Sequence, residues 1–568
     1  MKNDRKPIPY FVVPAFAALC LAVMCTLPTA AQSRTTNGPQ VLSNAVAHEP
    51  IHFDVSPPLS EMVAELPAQG GVRLMHPPLR PKLDKLRAAA GRGAPRVGAA
   101  PEPALGPLIS ATIGLSFEGA GNTSVLNCPS VVGFGVAPPD TNAAVGDTQV
   151  VEWVNLCYAI FDKSTGAPIA GPFSGNNFWK GFGGVCETTN DGDIIIQWDK
   201  MNHRWLASQL VYTAGSNSCI AVSQTADATG SYFRYQFPQP GLIPDYPKWG
   251  LTPSVYYQTQ NIFSGSGFIG VNVCGYDATK MLTGSKKAQQ VCILDNSNGT
   301  LFDDSMLPAD LDSDPKKVKS GPEVLLGSID NFLPGDTHVY EYVFTVNFKK
   351  PSKSTLAGVN GSLPISVPGF NLAICRKGGP RPTDCVEQPP PGDLLDTLGD
   401  RLMYRLARFD DGTNQHFLVT HSVNNTTAVG ARWYEFRAPS GSTSLSLFQS
   451  GDTPDDGEFR WMGSVAYDKA GDIALGYSRS SAAAGDFPSI YFAGQTAGDP
   501  LGTTETEALI KQGSGSQIDT DDRWGDYSSM ALDGADFCTF WYAQEYYPAN
   551  GSFAWGTWLA SLKFPNCH

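Results

Sequence analysis

One stretch near the C-terminal end of this chain occurs twice. Residues 521–547 read DDRWGDYSSMALDGADFCTFWYAQEYY, and the earlier stretch 459–478, FRWMGSVAYDKAGDIALGYS, matches them once Gly525 and Asp526 are treated as an insertion. Residues 401–421, RLMYRLARFDDGTNQHFLVTH, form a third, fainter copy. A unit repeated at this spacing cannot bury its own hydrophobic face, so the repeat predicts a propeller, a solenoid or an array.

A hairpin pattern extends the repeat over the rest of the chain. A strand of small residues, a tight turn and a strand of β-branched and aromatic residues recur, with turns expected at Gly146-Asp147, Asn190–Gly192, Pro253-Ser254, Gly335-Asp336, Asp411-Gly412, Ala470-Gly471 and Gly534-Ala535. Gly, Asp and Asn suit the positive φ angles of tight β-turns. Helical periodicity is nowhere sustained. The pattern predicts an all-β fold, a seven-bladed β-propeller, with six or eight blades as the alternatives.

The first residues have the features of an export signal. Lys2, Arg5 and Lys6 precede an apolar run, and Thr29-Ala30-Ala31 offers small residues for cleavage. We therefore expect a signal peptide at 1–31 and a secreted or periplasmic protein. No later apolar run reaches the length that spans a bilayer.

The segment after the signal has the composition of a linker. Its run from 77 to 103 is rich in Pro, Ala and Gly and cannot bury enough apolar surface to offset the entropy of ordering it. We expect residues 32–107 to be a flexible linker or pro-segment and 108–568 to be the β-propeller domain.

Ten cysteines remain after the predicted signal, at positions Cys128, Cys157, Cys186, Cys219, Cys274, Cys292, Cys375, Cys385, Cys538 and Cys567. An even number of cysteines in an exported chain predicts disulfides. Sequence alone leaves the pairing open, but neighbouring pairs such as Cys375–Cys385 would each close a short loop.

The charge balance narrows the class of partner. A formal net charge of −14 argues against nucleic acid as a partner, because its phosphates require a basic surface on the protein. The segment 293–320, expected to be a surface loop, carries Asp295, Asp303, Asp304, Asp310, Asp312 and Asp314. We expect no cofactor, with structural calcium at these carboxylates as the alternative. The expected partner of this monomer is an extracellular glycan or protein ligand.

Several motifs resemble a broad group of secreted bacterial β-propeller proteins. They are PPDTNAAVG (138–146), DYPKWG (245–250), RWMGSVAYDKAGDIALGYS (460–478), DPLGT (499–503) and DRWGDYSSMALDGADFCTFWY (522–542). The resemblance covers nearly all of the predicted domain. It implies the fold and the export, and it carries over no catalytic residue. The architecture it implies is distantly similar to the sialidase-type propellers, but their Asp-box is present only with altered spacing, which argues against sialidase activity.

The residues just before each innermost strand of a propeller form one rim of its channel. On this basis the candidate catalytic residues are Asp526, Asp140 and Asp245, and the candidate ligand-binding residues are Arg401, Arg460, Arg523, Tyr246, Trp461, Trp524 and Tyr527. Paired carboxylates suit acid–base hydrolysis. Guanidiniums suit carboxylate or sulfate groups, and aromatic rings suit sugars. The alternative is that the repeated Arg-Trp pairs only tie neighbouring blades together.

Two functions follow from these candidates. One is a secreted propeller that binds a carbohydrate or another extracellular ligand at the rim. The other is a carbohydrate-active enzyme, a glycoside hydrolase or polysaccharide lyase, that uses rim carboxylates. No HExxH zinc motif and no G-x-S-x-G nucleophile elbow is present, so the motifs fix no reaction and leave open whether the chain is an enzyme.

Overall fold

The computed structural model describes residues 38–62, 72–74, 111–239, 243–265, 267–297, 303–318, 321–328, 336–375, 382–519 and 521–568. In these ranges the chain is all-β, as predicted. The predicted signal peptide and the run from 77 to 103 lie outside them. Within the part described, no helix has the length and hydrophobicity needed to cross a membrane.

Short elements precede the main sheets. They are β1 (Val41–Leu42), β2 (Val46–His48), β3 (His52–Val55), β4 (Val72–Leu74), β5 (Thr112–Gly121), β6 (Leu126–Asn127), helix α1 (Pro129–Val132) and β7 (Gly135–Ala137). Within this set, β4 pairs with β7 and β5 pairs with β6, and both pairs are parallel.

The first three main sheets are antiparallel and follow one another along the chain. The first contains β8 (Asn142–Val145), β9 (Gln149–Val154), β10 (Cys157–Asp162) and β11 (Pro168–Ser174). After helix α2 (Gly184–Thr188), the second contains β12 (Ile195–Asp199), β13 (Arg204–Val211), β14 (Asn217–Ser223) and β15 (Tyr232–Pro238). The third contains β16 (Ile243–Leu251), β17 (Val255–Ser264), β18 (Gly267–Asp277) and, after helix α3 (Ala278–Met281), β19 (Gln290–Asp295).

The remaining strands form four more antiparallel groups. The fourth group has β20 (Leu307–Leu311), β21 (Glu323–Ser328), β22 (Asp336–Thr345), β23 (Thr355–Ala357) and β24 (Pro364–Phe370), and a separate pair, β25 (Asp384–Val386) and β26 (Leu395–Asp396), follows it. The fifth has β27 (Met403–Asp410), β28 (Asn414–Asn424), β29 (Val429–Pro439) and β30 (Ser446–Asp452). The sixth has β31 (Phe459–Tyr467), β32 (Ile473–Ser480), β33 (Ser489–Gln495) and β34 (Ala508–Lys511). The last has β35 (Ser529–Leu532), β36 (Thr539–Tyr546) and β37 (Gly556–Lys563).

The first strands of these groups form a closed ring. Going round, β8, β12, β16, β20, β27, β31 and β35 each contact the next, and β35 contacts β8. Between β20 and β27 the contact is a parallel hydrogen-bonded pairing, which merges the fourth and fifth groups into one sheet. The last group is completed from the other end of the chain, because β5 pairs antiparallel with β37. Apolar side chains fill the space between neighbouring sheets. Trp249 and Tyr276 of the third sheet, for example, pack with Leu206 and Tyr235 of the second.

Most hairpin turns lie where the sequence predicts them. Those at Gly146-Asp147, Pro253-Ser254, Asp411-Gly412, Ala470-Gly471 and Gly534-Ala535 each join the first two strands of their group. In the second sheet the turn lies between β12 and β13 instead, where the Asp199 carboxylate accepts the amides of Met201 and Asn202 and so needs no glycine. Of the predicted turn at Gly335-Asp336, Gly335 lies outside the described residues. Asp336 is the first residue of β22, the third strand of its group, because β20 comes earlier than expected.

Part of the predicted linker is built into the sheets. Strands β1, β2 and β3 pair antiparallel with β23, β19 and β15. The Asp54 carboxylate also binds the buried Arg234 guanidinium, with distances of 2.8 and 2.6 Å. Composition did not reveal these strands because edge pairing uses backbone hydrogen bonds, which need no alternating side-chain pattern. The domain boundary at 108 stays a prediction.

The acidic segment 293–320 is also not a surface loop, because β20 lies inside it. Asp310 and Asp312 are buried in the middle of the ring, where each accepts a hydrogen bond of 2.7 Å from Arg405 of β27. The Lys200 ammonium lies 3.8 Å from Asp310 and 3.5 Å from Asp312. These ion pairs leave a central cavity of only about 20 Å³. Arg405 and Lys200 therefore already form ion pairs with Asp310 and Asp312, two of the carboxylates proposed as calcium ligands.

The ten cysteines form five disulfides, and every pair is a neighbouring one. The pairs are Cys128–Cys157, Cys186–Cys219, Cys274–Cys292, Cys375–Cys385 and Cys538–Cys567. The disulfide prediction is confirmed. Five disulfides also indicate that the protein folds in an oxidising compartment.

Candidate functional site

The backbone is unusual at the end of the ring where the innermost strands begin, which we call the mouth. At or just before six of these seven strands lies a non-glycine residue with positive φ: Asp140 (47°), Asp193 (47°), Tyr246 (54°), Ser305 (47°), Met462 (55°) and Asp526 (61°). Such residues are rare, cost about 1–3 kcal/mol each and gather at functional sites. The repeated conformation marks this end of the ring as a place to look for a functional site.

Seven of the ten predicted site residues meet at the mouth. Asp140, Asp245 and Asp526 lie there with Arg401, Arg523, Tyr246 and Tyr527, close enough to influence one another electrostatically. The Tyr246 and Tyr527 rings are 5.6 Å apart. The first, third and last groups of strands, together with the loop before β27, therefore contribute to one cluster.

A pair of carboxyl groups lies at the centre of the mouth. Asp140 is 2% exposed and accepts a 2.8 Å hydrogen bond from the Asn155 amide, and its carboxyl group lies beside that of Asp193. Burial raises the pKa of Asp140 well above its usual value, and the nearby charges of Asp193 and Asp526 raise it further. Both effects favour the protonated form of the Asp140 carboxyl over its charged form. Asp193 is half-buried, and its Oδ2 accepts the Tyr246 amide and the Tyr527 hydroxyl, both at 3.2 Å.

A third carboxyl group and a lysine stand beside this pair. Asp245 is half-buried, and burial together with the charge of Asp193 raises its pKa to about 7. Lys248 is fully buried, and its Nζ lies 3.7 Å from the centre of the Tyr246 ring and 3.5 Å from that of Tyr527. It donates to the Pro247 carbonyl oxygen at 3.0 Å and forms no ion pair within the described residues. Burial lowers the pKa of Lys248 to about 7.

The two arginines of the mouth are already engaged. Arg401 binds the Asp400 carboxylate at 3.1 Å and stacks 4.7 Å from the centre of the Tyr246 ring. Arg523 forms an ion pair with Asp526. Asp526 is only 6% exposed, although it belongs to the two-residue insertion. Nor do Tyr246 and Tyr527 offer a stacking surface for a sugar, because both are buried and Lys248 covers their faces.

Three predicted residues lie away from the mouth. Arg460 is 1% exposed and binds Glu507 and Asp456, each at 2.8 Å. The Trp461 and Trp524 rings pack 5.7 Å apart inside a hydrophobic cluster, and the Trp524 indole donates to Ser478. The bonds of Arg460 are those expected of a structural tie.

Sequence reasoning missed Asp193, Lys248 and Asn155. Asp193 precedes β12 as Asp140 precedes β8, and this parallel could have identified it had the second hairpin been placed correctly. Lys248 lies within the DYPKWG motif, where its neighbours Asp245 and Tyr246 were chosen. Asn155 carried no sequence signal, since it follows β9 and reaches the mouth only through the first hairpin.

The chemistry of the mouth is that of acids and bases. The mouth places a buried carboxyl group whose pKa is raised beside a half-buried one, and perturbed carboxyl groups of this kind are common at functional sites. Among the described residues no group of three or more His, Cys, Asp or Glu side chains is arranged to hold a metal ion.

No family model matches the chain. No curated protein matches it. Several solved structures match part of this chain. One is polysaccharide lyase Uly1, which is 11% identical; the match covers 82% of this chain and 100% of that chain, with a TM-score of 0.38. A subtype N11 neuraminidase-like protein of A/flat-faced bat/Peru matches at 10% identity, 72% and 100% coverage and a TM-score of 0.33. The WD40 domain of SCAP from fission yeast matches at 8% identity, 73% and 79% coverage and a TM-score of 0.32. Identities and scores this low say nothing about what the present chain does.

Proposed function

We propose that this chain is a secreted seven-bladed β-propeller and that its mouth is the active site of a carbohydrate-active enzyme, a glycoside hydrolase or a polysaccharide lyase. The closed ring of first strands supports the blade number, as does the completion of the last group by β5. When strands from the two ends of the chain, here β5 and β37, complete the same blade, the ring of blades is closed.

The observation that carries the enzymatic proposal is the Asp140–Asp193 pair with Asp245 beside it. In this proposal Asp140 passes a proton to the neighbouring Asp193, the less buried member of the pair. Asp193 then donates to the leaving-group oxygen as the general acid, and Asp245 accepts a proton as the general base. The carbohydrate class is supported by the export features of the sequence.

Binding without chemistry is the second candidate. It is favoured by the ion pairs Arg401–Asp400 and Arg523–Asp526, because a mouth whose charges are paired internally can act as a rigid scaffold.

One experiment separates the two functions. The mature protein, Asp193→Asn and Asp245→Asn are incubated with a polysaccharide panel and scored for retention and for product release. Asp147→Asn is the matched control, since Asp147 is half-buried at the opposite end of β8. We expect wild type and control to release product, and both mouth variants to lose at least about 100-fold in rate, the range of general acid–base contributions. Retention without product release by wild type would establish the binding function and reject the enzyme.

A further inference from the structure

A polar cleft lies on the outer side of the mouth, over the first and second sheets. Its volume is about 570 Å³, within the range of about 300–1,000 Å³ typical of small-molecule sites. Its walls come from α1, from the 3₁₀ turn Gly175–Trp179 and from α2 with the loop that follows it.

Disulfides fix both helical walls of this cleft. Cys128 stands at the N-terminal end of α1 and is bonded to Cys157 of β10. Cys186 lies within α2 and is bonded to Cys219 of β14. The two short helices could not hold their positions alone, since helices of this length are not stable by themselves. A cleft held in shape before binding loses less entropy when a ligand arrives.

The lining of the cleft is polar and mostly uncharged. Ser174, Asn176, Thr188, Thr189 and Asn190 supply hydroxyl and amide groups, and Phe134 adds an apolar surface. Neutral donors and acceptors next to an apolar wall suit a polyhydroxylated ring, which has both polar edges and apolar faces.

The two acidic side chains of the lining are bound by the protein itself. Glu187 accepts the amides of Gly181 and Gly183, at 2.9 and 2.6 Å. Asp191 accepts the amides of Tyr212 and Thr213, at 3.0 and 3.1 Å. The lining residues, all within the described ranges, include one cation, Lys180, and no arginine. Two carboxylates against one ammonium group leave the cleft with a net negative charge, which disfavours an anionic sugar.

The cleft lies close to the mouth at two places along the chain. Asp191 lines the cleft, and Asp193 of the mouth is two residues further on, so their Cα atoms are within about 7 Å. Asn155, which binds Asp140, is followed by Leu156, whose carbonyl accepts the Asn190 amide at 3.1 Å. The wall of the cleft that holds Asn190 and Asp191 is therefore the one nearest the carboxyl pair.

We propose that this cleft binds the uncharged sugar units of an oligosaccharide whose reacting unit lies at the mouth. The proposal rests on the proposed function, and it specifies a neutral, multi-unit substrate rather than a uronate or sulfated one.

The test measures binding of defined oligosaccharides by titration calorimetry. The probes are cellohexaose, xylohexaose and maltohexaose as neutral chains, and hexagalacturonic acid as the anionic one. Thr188→Trp fills the cleft from an exposed position, and Thr413→Trp, in the exposed turn between β27 and β28, is its matched control. We expect at least one neutral hexaose to bind wild type and the control equally, and Thr188→Trp to bind it at least about tenfold more weakly. Phe134→Ala, which removes the apolar wall, should weaken it as well and serves if Thr188→Trp fails to fold.

Three outcomes would overturn the proposal. They are equal binding by Thr188→Trp and the control, tighter binding of hexagalacturonic acid than of every neutral hexaose, and no binding of any neutral hexaose by wild type. Measuring product release beside binding separates the failure of this proposal from the failure of the proposed function. If wild type binds a neutral hexaose in the cleft and releases no product, the enzyme is rejected and the cleft stands. If it releases product that Thr188→Trp releases equally fast, the cleft is rejected and the enzyme stands.

Discussion

At the scale of single residues, the mouth depends on charges that are buried together. Asp526 illustrates this, because its carboxylate is 6% exposed and paired with Arg523, whose guanidinium is also buried. Removing one partner of a buried pair leaves the other charge without compensation.

We therefore expect Asp526→Asn to lower the free energy of unfolding by about 3–5 kcal/mol, the range for breaking a buried ion pair. Chemical denaturation followed by tryptophan fluorescence measures it. Asp147→Asn, which changes a half-buried carboxylate at the other end of β8, should change stability by less than about 1 kcal/mol. Equal stability of the two variants would show that Asp526 is not held by Arg523.

Burial of carboxyl groups also determines how stability changes with pH. The pKa values of Asp245, Asp303, Asp468, Glu152 and Glu341 are each raised to about 7, in every case first of all by burial. Between about pH 4 and pH 7 the folded state therefore holds protons that the unfolded state has lost. The stability that these groups contribute is fully present below the pKa that they have in the unfolded chain, and it is lost as the pH rises through 7.

We expect the melting temperature to fall as the pH is raised from 4.5 to 7.5. The groups whose pKa is lowered to about 2, Asp411 and Asp536, lose their contribution only below that window. Thermal melts at unit pH intervals check the sign. Asp468→Asn should flatten the slope, since the amide cannot titrate, whereas a melting temperature that rises over this window would contradict the raised values.

At the scale of elements, the N-terminal strands β1, β2 and β3 cover the outer edges of three successive sheets. An uncovered edge presents unpaired backbone groups to other chains. The bond between Asp54 and Arg234 holds β3 against β15.

Deleting residues 38–62 should therefore produce self-association at protein concentrations where the full chain is monodisperse. Light scattering after size-exclusion chromatography measures this. Asp54→Asn keeps all three strands and is the control; it should weaken the bond to Arg234, at a cost of about 1–3 kcal/mol, without causing association. A deletion variant that stays monodisperse would show that these strands do not protect the edges.

At the scale of the whole molecule, sequence patterns predicted the features that depend on neighbouring residues. The turns at Gly146-Asp147 and Ala470-Gly471 were predicted because turn chemistry is local. The burial of β20 was not predicted, because Asp310 and Asp312 become tolerable inside the ring only through Arg405 and Lys200, which are distant in sequence. The burial of Asp526 was not predicted either, although its partner Arg523 is only three residues away, because the spacing alone does not show that both side chains lie inside the ring.

The five disulfides belong to this scale as well, since each lies in a different part of the chain. In the unreduced, denatured protein we expect no cysteine of the ten to react with an alkylating reagent, as read by mass spectrometry. Reduction should lower the melting temperature, because each bridge contributes about 2–4 kcal/mol by restricting the unfolded chain. Labelling of Cys128 or Cys186 without reductant would contradict the bridges that fix the cleft.

The pairing of β5 with β37 has a consequence for the order of folding. Thr112 and Lys563, which face each other across this pairing, are 451 residues apart in the chain. During synthesis from the N-terminus, β5 is made early and must wait, unpaired, until nearly the whole chain has followed. Contacts this remote in sequence form slowly, and an unpaired strand invites association in the meantime. The growing chain is therefore most vulnerable to aggregation before its last strand appears, and a shortening that removes β37 would leave the ring open however well the other sheets had formed.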